Sequence, residues 1–99
     1  MNAIILAAAE TELEQAFDFY ELQRSQLGLE FIEEFRRGVD VILEHPDAWQ
    51  LLGDSFRRYR LHRFPFGIVF EIIPAQNQIV IHAVMHMSSK PRNWPRRSA

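Results

Sequence analysis

Four arginines lie within seven residues near the middle of the chain, and they form its densest group of side chains able to hold an anion: Arg57, Arg58, Arg60 and Arg63. A guanidinium group binds carboxylate or phosphate through two parallel hydrogen bonds. The cluster therefore predicts a surface that contacts an anionic partner, either nucleic acid or an acidic protein segment. A solvated strand face that meets no partner is the alternative interpretation.

The C-terminal segment adds further bases around one tryptophan, and Arg92 and Trp94 are the candidates there. Basic residues interleaved with an aromatic ring can contact nucleic acid through charge and base stacking. These two residues therefore join the candidates for binding a partner. Packing of Trp94 on the edge of a sheet is the alternative, because a proline stands on each side of it.

RNA cleavage is one chemistry that these residue types would allow. It requires a base for the 2′-hydroxyl, an acid for the leaving group and a cation for the phosphorane charge. His62, His86 and Arg60 are of the required types, and we take Arg60 and His86 as the candidate catalytic residues. The sequence alone does not bring them together, and a structural role for a histidine on an apolar strand is the alternative.

Metal and cofactor chemistry is not indicated. The chain has no cysteine, and it contains neither a Walker loop nor a dinucleotide-binding fingerprint. His82 and His86 fall on a predicted strand, where they would share a face but lie roughly 13 Å apart. That separation is too large for one zinc ion, so we expect no metal site and no cofactor.

The net charge of −2 hides a strong asymmetry between the two parts of the chain. Residues 1–54 contain twelve acids and three bases, a balance of −9, whereas residues 55–99 contain one acid and eight bases, a balance of +7. Acidic helices that solvate a basic sheet would give this pattern. A basic surface that faces an anionic partner would give it as well.

Length and composition place the chain among small soluble domains. It has 99 residues, of which 47% are hydrophobic and 24% charged, as in ordinary globular proteins. The apolar run near the N-terminus is too short to span a bilayer and lacks the basic start of a signal peptide. The absence of cysteine fits a reducing compartment. We expect a cytoplasmic protein without a membrane segment.

The apolar run at 64–73, F-P-F-G-I-V-F-E-I-I, is the strand around which the other elements are expected to assemble. Its β-branched and aromatic residues are typical of a central strand buried on both faces. Pro65 has no N–H to donate, so regular pairing should begin just after it. Further strands are predicted at 2–8, 56–63 and 78–87, with a loop at 47–55.

Two helices precede that strand. Apolar residues recur at helical spacing over 10–26 and again over 29–44, with the break at Gly28. Thr11 and Glu14 have the spacing of a capping box at the start of the first helix. A short connection between the helices predicts an antiparallel hairpin that covers one side of the sheet.

The order β-α-α-β-β-β predicts an α+β fold, with the helical hairpin packed on a mainly antiparallel sheet. We expect a single domain over 1–99 that ends in a loose tail at 95–99. Alternation along 56–63 places three basic side chains on one face of the strand, namely Arg58, Arg60 and His62. Tyr59 and Leu61 should then face the core.

Four segments in order give the chain a resemblance to the RelE/ParE superfamily of type II toxin–antitoxin toxins. They are A-E-T-E-L-E-Q-A-F-D-F-Y-E at 9–21, G-L-E-F-I-E-E-F at 28–35 with I-L-E-H-P-D-A-W at 42–49, R-R-Y-R-L-H-R-F-P-F-G-I-V-F at 57–70, and I-H-A-V-M-H-M-S-S-K-P-R-N-W at 81–94. The last two are the most specific. The resemblance implies a compact toxin neutralised by a cognate antitoxin, with DNA gyrase or ribosome-bound mRNA as its target.

Within that resemblance the sequence is closer to the ParE-like branch. RelE-like members use an arginine in the central strand, where this chain has Gly67 and Ile68. They use another arginine just after the last strand, where this chain has Ser88 and Ser89. They also use a C-terminal tyrosine, and the nearest match in this chain is Trp94, which has no acidic hydroxyl. The same two serines would weaken a ParE-like toxin if the basic pair common there contributes to toxicity.

The resemblance thus implies a non-enzymatic gyrase inhibitor rather than a nuclease. The antitoxin is expected to cover apolar surface and to place acids opposite the arginines at 57–63. An mRNA interferase and a non-toxic interaction domain are the alternatives. An apolar sheet edge would also allow a homodimer or a hetero-oligomer with the antitoxin.

Overall fold

The computed structural model describes residues 1–89, and the predictions for Arg92, Trp94 and the tail at 95–99 lie outside that range. Two helices and five strands follow one another along the chain: β1 (Asn2–Ile5), α1 (Ala7–Gln23), α2 (Leu27–Glu44), β2 (Gln50–Leu52), β3 (Phe56–Arg60), β4 (Phe66–Ile73) and β5 (Gln78–His86). The predicted α+β class and the helical hairpin are confirmed. Strand β2, only three residues long, lies within the segment predicted to be a loop.

The five strands form one sheet in the order β1-β5-β4-β3-β2. Strand β1 runs parallel to β5, and the other three pairings are antiparallel, so the sheet is mainly antiparallel as predicted. Strand β4 is the central strand and begins at Phe66, just after Pro65. Ile68 and Phe70 on one face and Val69 on the other are fully buried, which confirms a strand covered on both sides.

The helical hairpin packs on one face of the sheet, which we call the helix face. Aromatic rings dominate this contact: Tyr20 of α1, Phe31 of α2 and Phe64 just before β4 have ring centroids 4.8–5.4 Å apart. Burial of such rings is the largest apolar contribution that a small core can have. On the opposite face, which we call the far face, a smaller apolar cluster contains Phe56, Val69, Ala83 and Met85.

The junction between the helices differs from the prediction. Helix α1 begins at Ala7, so Thr11 lies inside it, and its N-cap residue makes no side-chain capping bond. The side chain that caps a helix here is Glu21, whose two carboxylate oxygens accept the N–H groups of Gln26 and Gly28, each at 2.9 Å. A carboxylate at this position satisfies backbone donors that have no partner within the helix.

Gly28 does not separate the two helices, because it lies in the first turn of α2. The break is at Arg24–Gln26, where Gln26 has a φ of 78°. A Cβ atom on Gly28 would lie 2.7 Å from the carbonyl oxygen of Phe17. The glycine is therefore needed for close contact between the helices, not for a turn.

Strand β5 contains a bulge that reverses its alternation. Val69 pairs with Ala83, but the next residue, Phe70, pairs with Ile81, so His82 is an extra residue in β5. The His82 ring packs against Phe56 on the far face, with ring centroids 4.7 Å apart. An inserted residue shifts every later side chain to the other face.

His86 consequently lies on the helix face, where its ring packs against Phe66 with centroids 5.2 Å apart. Phe66 in turn contacts Phe31 of α2. The prediction that His82 and His86 share a face of the sheet is therefore wrong. The reason is the bulge, which lies between them and breaks the simple two-residue period.

Candidate functional site

Over most of its length, strand β3 directs its side chains to the two faces of the sheet as the alternation along 56–63 predicts. Arg58 and Arg60 point to the far face, whereas Tyr59 packs in the core beneath the helices. The strand ends at Arg60, however, so His62 and Arg63 lie in the loop between β3 and β4 and not on a strand. The predicted basic strand is thus a strand with a basic loop attached to it.

The four arginines differ in how they are held. Arg57 donates to the carbonyl oxygens of Asp47 and Trp49, at 3.1 and 2.8 Å, and so ties β3 to the segment before β2. Arg63 donates to Glu30 at 2.7 Å. Both guanidinium groups have protein partners, which makes them less available to a ligand.

Arg58 and Arg60 are the more available pair. Arg58 donates one bond to the side chain of Gln50, at 2.9 Å, and its Nε is buried without an acceptor. Arg60 is exposed, and no side chain or carbonyl within residues 1–89 pairs with it. Among the described candidates, Arg60 is therefore the cation best placed to meet a partner.

Glu34 of α2 holds the loop that carries His62 and Arg63. Glu34 is only 6% exposed, and one of its carboxylate oxygens accepts the backbone N–H groups of both His62 and Arg63, the latter at 2.9 Å. Glu34 is not among the candidate residues that the sequence indicates. The signal was present, because Glu34 falls on the apolar stripe of α2, three residues after Phe31 and one before Phe35.

An elongated cleft lies between α2 and the outer edge of β3, and we call it the β3-edge cleft. It consists of two hollows of about 380 and 320 Å³ that share Val41, Tyr59 and His62. Trp49 lines one end and Glu34 the other. Arginines line both hollows: Arg58 and Arg60 in the first, Arg37 and Arg63 in the second. The cleft thus joins an apolar floor to a basic rim.

Two pKa shifts describe the electrostatics of this region. Hydrogen bonds from Arg63 and then Arg24 lower the pKa of Glu30, so this pair stays charged at neutral pH. Burial, with a smaller effect of the Glu34 charge, raises the pKa of Tyr59 above its ordinary value of 10.0. Tyr59 therefore remains a neutral phenol and contributes no base to the cleft.

The structure separates the two candidate catalytic residues. Arg60 lies on the far face at the end of β3, and His86 lies on the helix face at the end of β5. The Nδ1 atom of His86 accepts the N–H of Ser88 at 3.0 Å. Of the two histidines considered for RNA cleavage, only His62 lines the same cleft as Arg60.

Other site types receive no support from the part of the chain that is described. Over residues 1–89 no three histidine or carboxylate side chains come together in a way that could hold a metal ion. Neither α1 nor α2 is both long and apolar enough to cross a lipid bilayer.

Comparison with known proteins identifies the family. Residues 3–91 match the family model described as ParE toxin of type II toxin-antitoxin system, parDE. A solved chain of the chromosomal ParDE TA system from P. aeruginosa shares this fold, with a TM-score of 0.77 and 17% sequence identity over 89% of this chain and 97% of that chain. No curated protein sequence matches the chain. The family match covers most of the sequence, and the chain therefore belongs to the ParE family of type II toxin–antitoxin toxins.

Proposed function

We propose that this ParE-family toxin inhibits DNA gyrase and that direct binding of its cognate antitoxin keeps it inactive. We also propose that it acts in the cytoplasm, either alone or in a hetero-oligomer with the antitoxin. Family membership is the main support for the gyrase target.

One observation favours gyrase inhibition over RNA cleavage. Phosphodiester cleavage by acid–base catalysis needs two proton-transfer groups and a cation around one phosphate. His86 and Arg60 lie on opposite faces of the sheet. Burial raises the pKa of Tyr59, the tyrosine in the cleft, which makes it a poorer source of a base than an ordinary tyrosine. The described residues do not assemble the full catalytic set at one place.

The mRNA interferase remains the second candidate for one specific reason. His62 and Arg60 line the same hollow, so a single histidine and a cation could approach one phosphate there. If this function is correct, Arg60→Ala and His62→Ala should each abolish cleavage, whereas His86→Ala should not. If the toxin acts on gyrase, the wild type does not cleave mRNA, and none of the three substitutions changes the amount of cleavage.

The deciding experiment combines two readouts on the same induced culture and on purified protein. We expect growth arrest with DNA breaks, intact transcripts, and inhibition of plasmid supercoiling by purified gyrase. Co-expression of the product of the adjacent small gene should form a stable complex and restore growth. Cut transcripts with normal supercoiling would identify the interferase instead, and normal growth with folded protein would identify a non-toxic interaction domain.

A further inference from the structure

One side of α1 carries large apolar side chains that remain exposed. Phe19 is 57% exposed and Leu22 is 89% exposed, whereas Tyr20 between them is only 9% exposed. Phe19 and Leu22 are three residues apart, so they are neighbours on the helix surface. A contiguous exposed apolar patch on a globular protein indicates a contact surface. We call the line of helix residues that contains this patch the α1 stripe: Glu12, Gln15, Ala16, Phe19, Leu22 and Gln23.

The N-terminal half of the same stripe borders a hollow of about 270 Å³. Strand β1 pairs only with the first four residues of β5, so α1 lies directly beside the rest of β5, where Glu12 accepts the N–H of Val84 at 3.0 Å. The small side chain of Ala16 leaves space between the helix and the rings of Phe66 and His86, which also line the hollow. A cavity of about 150 Å³ accommodates benzene, so this hollow has room for a leucine side chain.

The exposed leucine and the hollow lie on one helix, and this placement is self-complementary. In a contact with two-fold symmetry, residue i of one copy meets residue j of the other, and j meets i. If two α1 helices cross antiparallel with Phe19 at the axis, Leu22 of each copy lies opposite Ala16 of the other, because both are three residues from Phe19. Gln15 lies opposite Gln23 in the same way. Two exposed leucines thereby fill two hollows at once.

The charges of α1 favour an antiparallel pair. Glu12 is the one charged residue of the stripe, and its carboxylate already accepts the backbone of β5, so the centre of the contact is uncharged, as in the core of protein interfaces. Glu10 and Glu14 are exposed in the N-terminal half of the helix, and Arg24 lies at its C-terminal end. A parallel pair would place the acidic halves side by side. An antiparallel pair separates them and brings Arg24 of each copy toward the acids of the other.

We propose that a second copy of the toxin occupies this surface, bound through the α1 stripe about a two-fold axis at Phe19. Leu22 of each copy inserts into the hollow beside Ala16 of the other, and Gln15 and Gln23 form the polar rim. The contact is small, so we expect a dissociation constant of about 1 µM or higher. The stripe shares no residue with the β3-edge cleft, so this dimer does not use the arginine surface, and the inference does not depend on the cellular target.

Sedimentation equilibrium of the purified full-length chain tests the association between about 1 and 500 µM. We expect a monomer–dimer equilibrium, and Leu22→Glu should raise its dissociation constant about tenfold or more, because a carboxylate would have to enter a hollow with an aromatic floor. Leu51→Glu is the matched control. Leu51 is likewise an exposed leucine, at 53%, but it lies on β2, at the edge of the sheet remote from β5, and its change should stay within about twofold. Circular dichroism checks that both variants are folded.

Crosslinking tests the two-fold geometry. The chain has no cysteine, so Gln15→Cys and Gln23→Cys each introduce a single reactive site at an exposed position. Packed helices lie about 8–10 Å apart, which a short bis-maleimide spans. We expect an equimolar mixture of the two variants to crosslink at least about threefold more than either variant alone, because like positions are offset by about 12 Å along the helices.

Each measurement has a result that would contradict the proposal. A monomer at every concentration would overturn the dimer. A dimer that Leu22→Glu leaves unchanged, or that Leu51→Glu weakens as much, would overturn this surface and assign the association to another one, such as the apolar edge at β1. Equal crosslinking of the mixture and of each variant alone would overturn the antiparallel two-fold arrangement.

Discussion

At the scale of single residues, the buried carboxylate of Glu34 does most to fix the arginine-bearing surface. It joins α2 to the loop after β3 through two backbone N–H groups. One acid on a helix thereby determines where His62 and Arg63 lie. The arginine positions follow from sequence. The residue that holds the loop cannot be identified by its charge alone, because the same helix also carries Glu33, which is exposed, and Glu30, which is half-buried.

Replacing Glu34 should therefore destabilise the fold more than its charge alone suggests. Glu34→Ala leaves the amides of His62 and Arg63 without an acceptor, and we expect a loss of about 1–3 kcal/mol in the free energy of unfolding. Glu34→Gln keeps one acceptor oxygen and should lose less. Urea unfolding measures both, with the exposed Glu33→Ala as control. A loss for Glu34→Ala no larger than that of the control would contradict this role.

Glu30 gives a prediction about pH. Hydrogen bonds from Arg63 and Arg24 lower its pKa in the folded chain below the ordinary value of about 4.5. A lowered pKa means that the stabilisation is present above that value and is lost as pH falls through the folded pKa. The difference in urea midpoint between the wild type and Glu30→Gln should therefore be present at pH 7 and decrease as the pH falls through the lowered pKa of Glu30.

Salt provides the control for the same pair. The Glu30 and Arg63 side chains are partly exposed, so screening by 1 M salt should reduce the difference at pH 7. A difference that persists unchanged at low pH or at high salt would mean that Glu30 acts through packing and not through its charge.

At the scale of elements, the helical hairpin is held by a contact that excludes a side chain. Gly28 of α2 lies against the backbone of Phe17 of α1, and Glu21 caps the start of α2 from the preceding helix. Periodicity predicts both helices, because apolar stripes are local. It places the break at Gly28 wrongly, because a glycine used for close contact and a glycine used for a turn look alike in sequence.

Gly28→Ala tests this contact. Alanine favours a helix by about 1 kcal/mol relative to glycine, yet its Cβ would lie 2.7 Å from the Phe17 carbonyl oxygen. We expect a net loss of about 1–3 kcal/mol in unfolding free energy, as for overpacking in a core. Asp40→Ala at an exposed position of α2 is the control and should be neutral or stabilising. A stabilised Gly28→Ala variant would show that the helices can separate without cost.

At the scale of the whole molecule, the sequence predicts the layers and the structure supplies their details. The strand at 64–73 and the helical hairpin follow from apolar patterning, which is local information. Strand β2 could not be predicted, because three residues show no period. The bulge at His82 could not be predicted either, because it exists only relative to the partner strand β4. The same limit explains the error over His82 and His86.

The aromatic core predicts cooperative unfolding of helices and sheet together. Phe64 contacts both Tyr20 and Phe31, so Phe64→Ala should cost about 3–5 kcal/mol and lower the helical and the aromatic circular dichroism transitions equally. Phe19→Ala, at a position that is 57% exposed, should change stability little. Two separate transitions in the wild type would show that hairpin and sheet unfold independently.

The extra residue in β5 also affects how this toxin can be compared with its relatives. In a relative that lacks this extra residue, the last residues of the strand would point to the opposite faces of the sheet from Val84, Met85 and His86 in this chain. This would hold even if the residue types were identical. A gap-free alignment across this strand would then equate a histidine on one surface with a histidine on the other. Assignment of a role to His86 by alignment column therefore requires first establishing whether the relative has a residue in the place of His82.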